Sequence, residues 1–520
     1  MRPLINPIRI RAEQEIPFVE SRVNGGMITA IDATDLENNQ FIDVKNFIVR
    51  DDRTIRRNGH ILFSPAKPNA SKILLVTTFK RFAGDTITFR FTPSSIHTLG
   101  VGWNPVVGVL TGGPLDRFST AIINDRFFFA NGIDNVNEIN VAGLSHTSAG
   151  NWDKYKYITG FYNRLVGANL NTSGSENPVK IGWSGDLNFT ETDPSVDFSA
   201  GFEFLVESPS DYADFITGLV GFPSMVLIPK ERSIWGGIKQ PSASNPFLFQ
   251  TIVPGIGCDC PWSIQRIPNG IAWVDFRTAA VYTYLIGQQL PTPIGRNIER
   301  TIINEITDVR LVFSDYNAGD NKYRICIPSS LTSTVKIWCY DFRTQTWTYD
   351  EMENVSAINS IDYATGGITY DELVGTFDSL VGTFDELGAP ITGIAKFVGE
   401  TDGDLLLEDG DTDTDNDVAY EAILASKIYQ LPTIDTYVNQ IAIEYVCNKS
   451  GSFEIQYKRD EGNWTTAKVV AATTSIIRKR VTYKKNLKAR QFEWRIVSSS
   501  GLFEVIEYDV LVIPGAKSTR

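Results

Sequence analysis

Three histidines, five cysteines and one run of alternating aspartates are the residue types in this 520-residue chain that could do chemistry. The cysteines, Cys258, Cys260, Cys326, Cys339 and Cys447, are scattered and odd in number, which is no disulfide framework. Cys258 and Cys260 are one residue apart, not at the spacing of a zinc knuckle, so no metal site is expected from Cys or His. Buried thiols acting as small apolar side chains are the better account. A Ser-His-Asp mechanism would have to use His60, His97 or His146. His60 follows a turn-like Arg56-Arg57-Asn58-Gly59, and the other two lie among Ser, Thr and Gly. No nucleophile elbow, Walker loop, His-Glu-x-x-His or paired CxxC occurs, so no catalytic residue and no cofactor is assigned.

The acidic run at 402–417 ends in Asp409, Asp411, Asp413, Asp415 and Asp417. Alternating aspartates can offer oxygen ligands to calcium. An EF-hand register fails, however: its twelfth position falls on Tyr420 or Ala422, and the sixth-position glycine is missing. A solvated acidic loop, or an acidic wall facing a channel, is expected instead. A propeller glycosidase would need two carboxylates flanking a sugar or a tyrosine nucleophile, and the repeated turns of sialidases are absent.

These residues sit in a chain that reads as strand and turn. Apolar runs are short, rich in Val, Ile, Phe, Tyr and Thr, and bounded by Gly, Asn, Asp and Pro, as at 71–79, 85–91, 224–228 and 323–327. Three stretches read as strand–turn–strand units: TAIINDRFFFANG (120–132), GIAWVDFRTAAVYTY (270–284) and VKIWCYDFRTQTW (335–347). Such texture continues without a break far beyond the ~100 residues of one sandwich. A propeller with blades of about 40–50 residues fills the span. The expected fold is all-β: an extended N-terminal arm (1–60), a β-propeller of six or seven blades (61–430) and a small C-terminal β-sandwich (431–520). The one helical candidate is 208–220, with Pro209 near its start.

A seven-residue repeat, TYDELVG-TFDSLVG-TFDELG, occupies 369–388. One glycine per repeat is costly in a helix, so successive turns are expected rather than a coiled coil. They would present Tyr370, Leu373, Phe377, Leu380, Phe384 and Leu387 as a docking loop or as decoration of one blade. The C-terminal segment turns basic between Arg478 and Arg495, either as a charged solvent face or as a surface for an acidic neighbour or phosphate.

The formal net charge is −13, opposite to a protein that grips nucleic acid by its phosphates. No apolar run approaches the ~20 residues of a membrane span, and Met1 to Ile10 lack the apolar core of a signal peptide. Synthesis in the cytoplasm is expected.

Together the segments resemble a known family. VNGGMITAIDATDL (23–36), then 38–47 and DDRTIRRNG (51–59), resemble the start of the tail stabilisation, head-completion plug and nozzle proteins of short-tailed bacteriophages. YNRLVG (162–167), VKIGWSG (179–185), FITGLVGFPSMVLIPKERSIW (215–235), PGIG (254–257), WSI (262–264) and PNGIAW (268–273) are similar to later blocks of that family, as is the repeat at 369–388. The resemblance covers most of 20–420 and rests on strand and turn spacing, not on catalytic signatures. Arg53, Arg56 and Arg57 are expected to reach acidic partners around the Asn58-Gly59 turn. The resemblance implies a non-enzymatic virion protein: a ring, as a homo-hexamer, below the portal and adaptor and beside other tail proteins. DNA would pass through without sequence-specific binding, held in the particle until ejection. Two alternatives stay open, a receptor- or glycan-binding tail-tip propeller and a propeller glycosidase.

Overall fold

A computed structural model describes residues 16–171, 177–206, 213–242, 244–329, 331–365, 391–431 and 436–514. It is an all-β protein made of two compact units. One comprises 61–337 and 352–408; the other combines 1–60, 338–351 and 409–520.

The first unit is a β-propeller. Five four-stranded antiparallel sheets follow one another along the chain, at 75–106, 119–148, 155–204, 220–254 and 265–293, and a sixth blade opens with the antiparallel pair Phe313–Asn317 and Lys322–Pro328. The seventh is built from Val355–Thr365, Ile391–Glu400 and Leu405–Asp409. Beside it the Phe63 amide donates to the Leu405 carbonyl at 2.7 Å. Tight two-residue turns connect the blade hairpins. Asn124 and Asp125 (φ 47° and 60°) and Tyr162 and Asn163 (φ 45° and 56°) take the paired left-handed conformations that match strand twist.

Period-two alternation sends side chains between neighbouring blades. Phe89 and Phe91 of the first blade meet Phe127 and Phe129 of the second, with Phe89 and Phe127 rings 5.0 Å apart. Trp152, Tyr155 and Ile158 join Phe128 and Ala130 between the second and third blades. Trp183 and Phe161 join Phe247 and Phe249 between the third and fourth. Each buried ring contributes about 1.5–3 kcal/mol, and this stack of interblade cores holds the ring together. Arg117 adds a polar tie. It precedes the second blade, donates to the carbonyls of Leu74 (3.3 Å) and Ser356 (2.8 Å), and lies 4.0 Å over the Phe313 ring. One side chain so touches parts of the first, seventh and sixth blades. Burial lowers its pKa to about 10.

The second unit is a β-sandwich. One sheet is ordered Phe47–Val49, Thr54–Arg56, Leu502–Pro514, Thr436–Lys449, Ser475–Lys488, with Ile16–Arg22 also on Leu502–Pro514. The other contains Phe41–Lys45, Ala422–Ser426, Gln491–Ser498, Gly451–Arg459 and Thr465–Ala472 in that order. Aromatic pairs bridge the layers: Phe453 with Phe503 at 4.8 Å and Trp494 with Tyr508 at 4.6 Å.

These units correct the expected segmentation. Residues 16–60 are not an extended arm, because Ile16–Arg22 and Thr54–Arg56 find their hydrogen-bond partners on Leu502–Pro514. The sandwich begins at 409 on its C-terminal side, earlier than 431, because Ala422–Ser426 pairs with Gln491–Ser498. The helical candidate 208–220 lies partly outside the described residues, and Val220 opens a strand. Among the described residues the α-helix is Glu299–Glu305, seven residues that bury Ile302. The repeat residues Tyr370, Leu373, Phe377, Leu380, Phe384 and Leu387 lie outside the described residues, between the hairpin partners Thr365 and Ile391.

Candidate functional site

The arginines and aspartates singled out in the sequence meet in the sandwich unit. Thr54–Arg56 is a short strand held between Phe47–Val49 and Leu502–Pro514. Arg53, just before it, is 38% exposed at its side chain and shared between Asp52 and Glu504, its Nη1 2.6 Å from the Glu504 carboxylate. Arg56 is fully buried. It donates to the carbonyls of Gly501 (2.6 Å) and Tyr420 (3.0 Å). Burial lowers its pKa, and its Nε has no partner among the described residues.

Arg57 is the centre. Its Nη1 and Nη2 donate to the two oxygens of Asp415 at 2.9 and 2.5 Å, the fork-to-fork geometry of the strongest charge-assisted pairs. Its Nε donates to Asn46 Oδ1 at 2.9 Å. His60 Nδ1 lies 2.9 Å from Asp415 Oδ1. Both guanidiniums stand over the Tyr420 ring, Arg56 at 4.2 Å and Arg57 at 3.8 Å, and the Tyr420 hydroxyl donates to the Arg57 carbonyl. Burial would raise the Asp415 carboxyl, but the hydrogen bonds and charges of Arg57 and His60 outweigh it and hold it at about 2. Burial pushes Tyr420 up to about 12. Neither Asp415 nor Tyr420 changes charge near neutrality, and the paired charges and hydrogen bonds make the cluster a latch.

The local backbone explains how the latch closes. Thr414–Asp415 and Val418–Ala419 form a hairpin whose turn residues, Asn416 and Asp417, have φ of 48° and 63°. Asp415 pairs in parallel with His60, and Gly59 lies so close that a Cβ would stand 2.0 Å from the Thr414 carbonyl oxygen. Only glycine fits there. Nearby, Asp413 accepts from Lys449 (2.8 Å) and from the Gly501 amide (2.5 Å).

The acidic run is thus not one solvated loop. Asp413 and Asp415 are turned into the sandwich and paired. Asp411 and Asp417 are exposed, Asp409 is half-buried at the end of the strand Leu405–Asp409, and Asp411 to Asp417 belong to the sandwich unit. Sequence reasoning missed Asn46, Tyr420 and Lys449 as partners, since nothing local marks them. Carboxylates that could meet around a cation come instead from the propeller: Glu400, Asp402 and Asp404. Lys67 sits 3.0 Å from Asp402 and 2.9 Å from Asp404 and offsets part of their charge. His97 and His146 are buried, which lowers the pKa of both, and all five cysteines are buried and free.

No protein-family model matches the chain, and no curated protein matches it. Solved structures that it resembles include YCF48 bound to a D1 peptide, at 10% identity over 68% of this chain and 98% of that one, TM-score 0.34. BamB from Moraxella catarrhalis is similar at 7% identity over 67% and 99% of the two chains, TM-score 0.35. So is an exo-β-1,3-galactanase from Phanerochaete chrysosporium, with galactose, at 11% over 87% and 100%, TM-score 0.26. None of these likenesses bears on function. No helix among the described residues is long and apolar enough to cross a membrane.

Proposed function

We propose that this chain is a structural, non-enzymatic component of a short-tailed bacteriophage tail, a nozzle or head-completion plug. Copies would form a ring, as a homo-hexamer, below the portal and adaptor, retain the packaged genome and guide its exit through the virion tail. One observation carries the reading: the N-terminal motifs that bear the family resemblance, at 23–59, are ones that knit the sandwich together. Gly25 lies where a Cβ would be 2.5 Å from the Asn39 carbonyl oxygen, and Gly26 has a φ of +69° with Thr346 Cβ 2.6 Å from where its own would be. Arg57 and Gly59 form the latch with Asp415 and Thr414. Motifs spent on scaffolding suit a protein whose task is to hold a shape under load.

The net charge of −13 suits a wall past which DNA slides, since like charge keeps the duplex from sticking. The exposed large apolar side chains include phenylalanines such as Phe82, Phe198 and Phe202, and Tyr162, but no tryptophan among the described residues. That distribution does not favour the glycan-binding alternative, which would use exposed Trp and Tyr platforms. In the phage encoding the chain, loss of this gene product should give heads that fill with DNA and then leak it. Heads that stay full and lack only host attachment would transfer the protein to the receptor-binding class.

A further inference from the structure

We propose that the basic edge strand Ser475–Lys488 of one copy docks on the acidic hairpin Thr414–Ala419 of a second copy of this chain. The inference rests on the homo-oligomeric reading above and assigns it a surface.

Charge is unevenly divided. Residues 465–490 hold eight Lys or Arg and no Asp or Glu, although the chain as a whole stands at −13. Ser475–Lys488 ends its sheet, with Thr436–Lys449 on one side and a free edge on the other. Lysines along such an edge commonly protect it from wrong pairing. That explanation does not cover Ile476 and Ile477, which are 96% and 71% exposed. Both project from an irregularity: the register runs from Tyr445 opposite Lys479 to Cys447 opposite Ser475, so extra residues of the edge strand are thrown outward. Further along, Lys484 and Lys485 are exposed and have no partner among the described residues. At ~3.3 Å per strand residue Lys484 and Lys485 lie roughly 20–25 Å from the apolar pair, and Arg478 and Arg480 next to that pair are already matched by Glu444 and Asp509, so Lys484 and Lys485 carry the surface by charge.

The complementary surface is on the same unit. Residues 409–421 hold six acidic residues and no Lys or Arg. Asp413 and Asp415 are used internally, whereas Asp411 and Asp417 are exposed with no ion-pair partner among the described residues, beside Val418 at 66% exposure. Val418–Ala419 also ends its sheet. Each surface carries charges with no ion-pair partner among the described residues, and the signs are opposite. Contacts of this kind between copies need both steering charge and desolvated apolar area.

The test uses two full-length variants, Lys484→Glu with Lys485→Glu, and Asp411→Lys with Asp417→Lys, compared with wild type by light scattering across protein concentration at low and high salt. All substituted positions are exposed, but Asp417 holds a left-handed turn (φ 63°), so Asp411→Lys alone is run beside the double variant and melting temperature serves as the folding control. Wild type should self-associate, each variant alone should do so at least ~10-fold more weakly, and an equimolar mixture should recover wild-type association, because each reversed surface then meets a reversed partner. Equal association of wild type and both variants would overturn the assignment while leaving the ring reading intact. A mixture that fails to recover, or variants that lose binding to duplex DNA and not to each other, would also overturn it.

Discussion

Arg57 and Asp415 lie 358 residues apart in sequence and meet as a two-pronged ion pair in the sandwich unit. Their side chains are 4% and 15% exposed, so the pair is made away from bulk water. Removing one partner strands the other in a poorly solvated place. Asp415→Asn should therefore destabilise the sandwich by about 3–5 kcal/mol, whereas Asp411→Asn, two turns of the same alternation away and exposed, should stay within about 0.5 kcal/mol. Urea unfolding of the full chain measures both; equal losses would deny the latch its role.

The same pair sets an acid limit. Asp415 has its carboxyl held from an ordinary 3.8 down to about 2. A depressed carboxylate contributes stability that is fully present above its unfolded pKa and is lost as pH falls through the folded one. About 2 kcal/mol should disappear between pH 4 and pH 2. Melting curves across that window should show the loss in wild type and a flatter dependence in Asp415→Asn.

Much of this architecture was legible beforehand, for local reasons. The 270–284 segment alternates apolar and polar residues about a short polar turn, and Gly270–Asp275 and Ala280–Leu285 pair as that pattern requires. The pairing of Ile16–Arg22 with Leu502–Pro514 was not legible. Partners hundreds of residues apart leave no mark on local periodicity. Nor could the sequence separate Asp413 and Asp415 from Asp411 and Asp417: the same residue type alternates, and the partners that distinguish them, Lys449 and Arg57, are supplied by other strands. Tyr420 was read only as a wrong residue for calcium; its ring is instead the platform for two guanidiniums.

Lys72 makes an alkaline counterpart in the propeller. Burial, with a smaller effect from Arg117, lowers its pKa from 10.5 to about 8. Between those values the unfolded chain binds the proton and the folded chain does not, so stability should rise as pH rises from 8 towards 10.5. Lys72→Met should flatten that rise. Parallel pH profiles for the two proteins would show that Lys72 is solvated in solution.

The heptad segment can be removed without breaking a blade. Val355–Thr365 and Ile391–Glu400 stay in register up to Thr365 opposite Ile391, so the hairpin is complete before 369–388 begins. Deleting 369–388 should leave circular dichroism and melting temperature near wild type and impair assembly. A collapse of the spectrum would make the repeat part of the core.

Calcium should not matter to the fold. Lys67 already pairs with Asp402 and Asp404, and Asp413 and Asp415 are committed to Lys449 and Arg57. Chelation should change neither melting temperature nor oligomer size. A fall of several degrees on chelation, reversed by calcium, would show a cation site.

The central claim is that this chain works as a ring at a tail channel. It is tested most directly by the mass and shape of the purified protein, alone and with a portal–adaptor complex from the encoding phage, using light scattering and negative-stain imaging. The account predicts a closed ring seated coaxially on the adaptor. A monomer at every concentration that ignores the complex would contradict it.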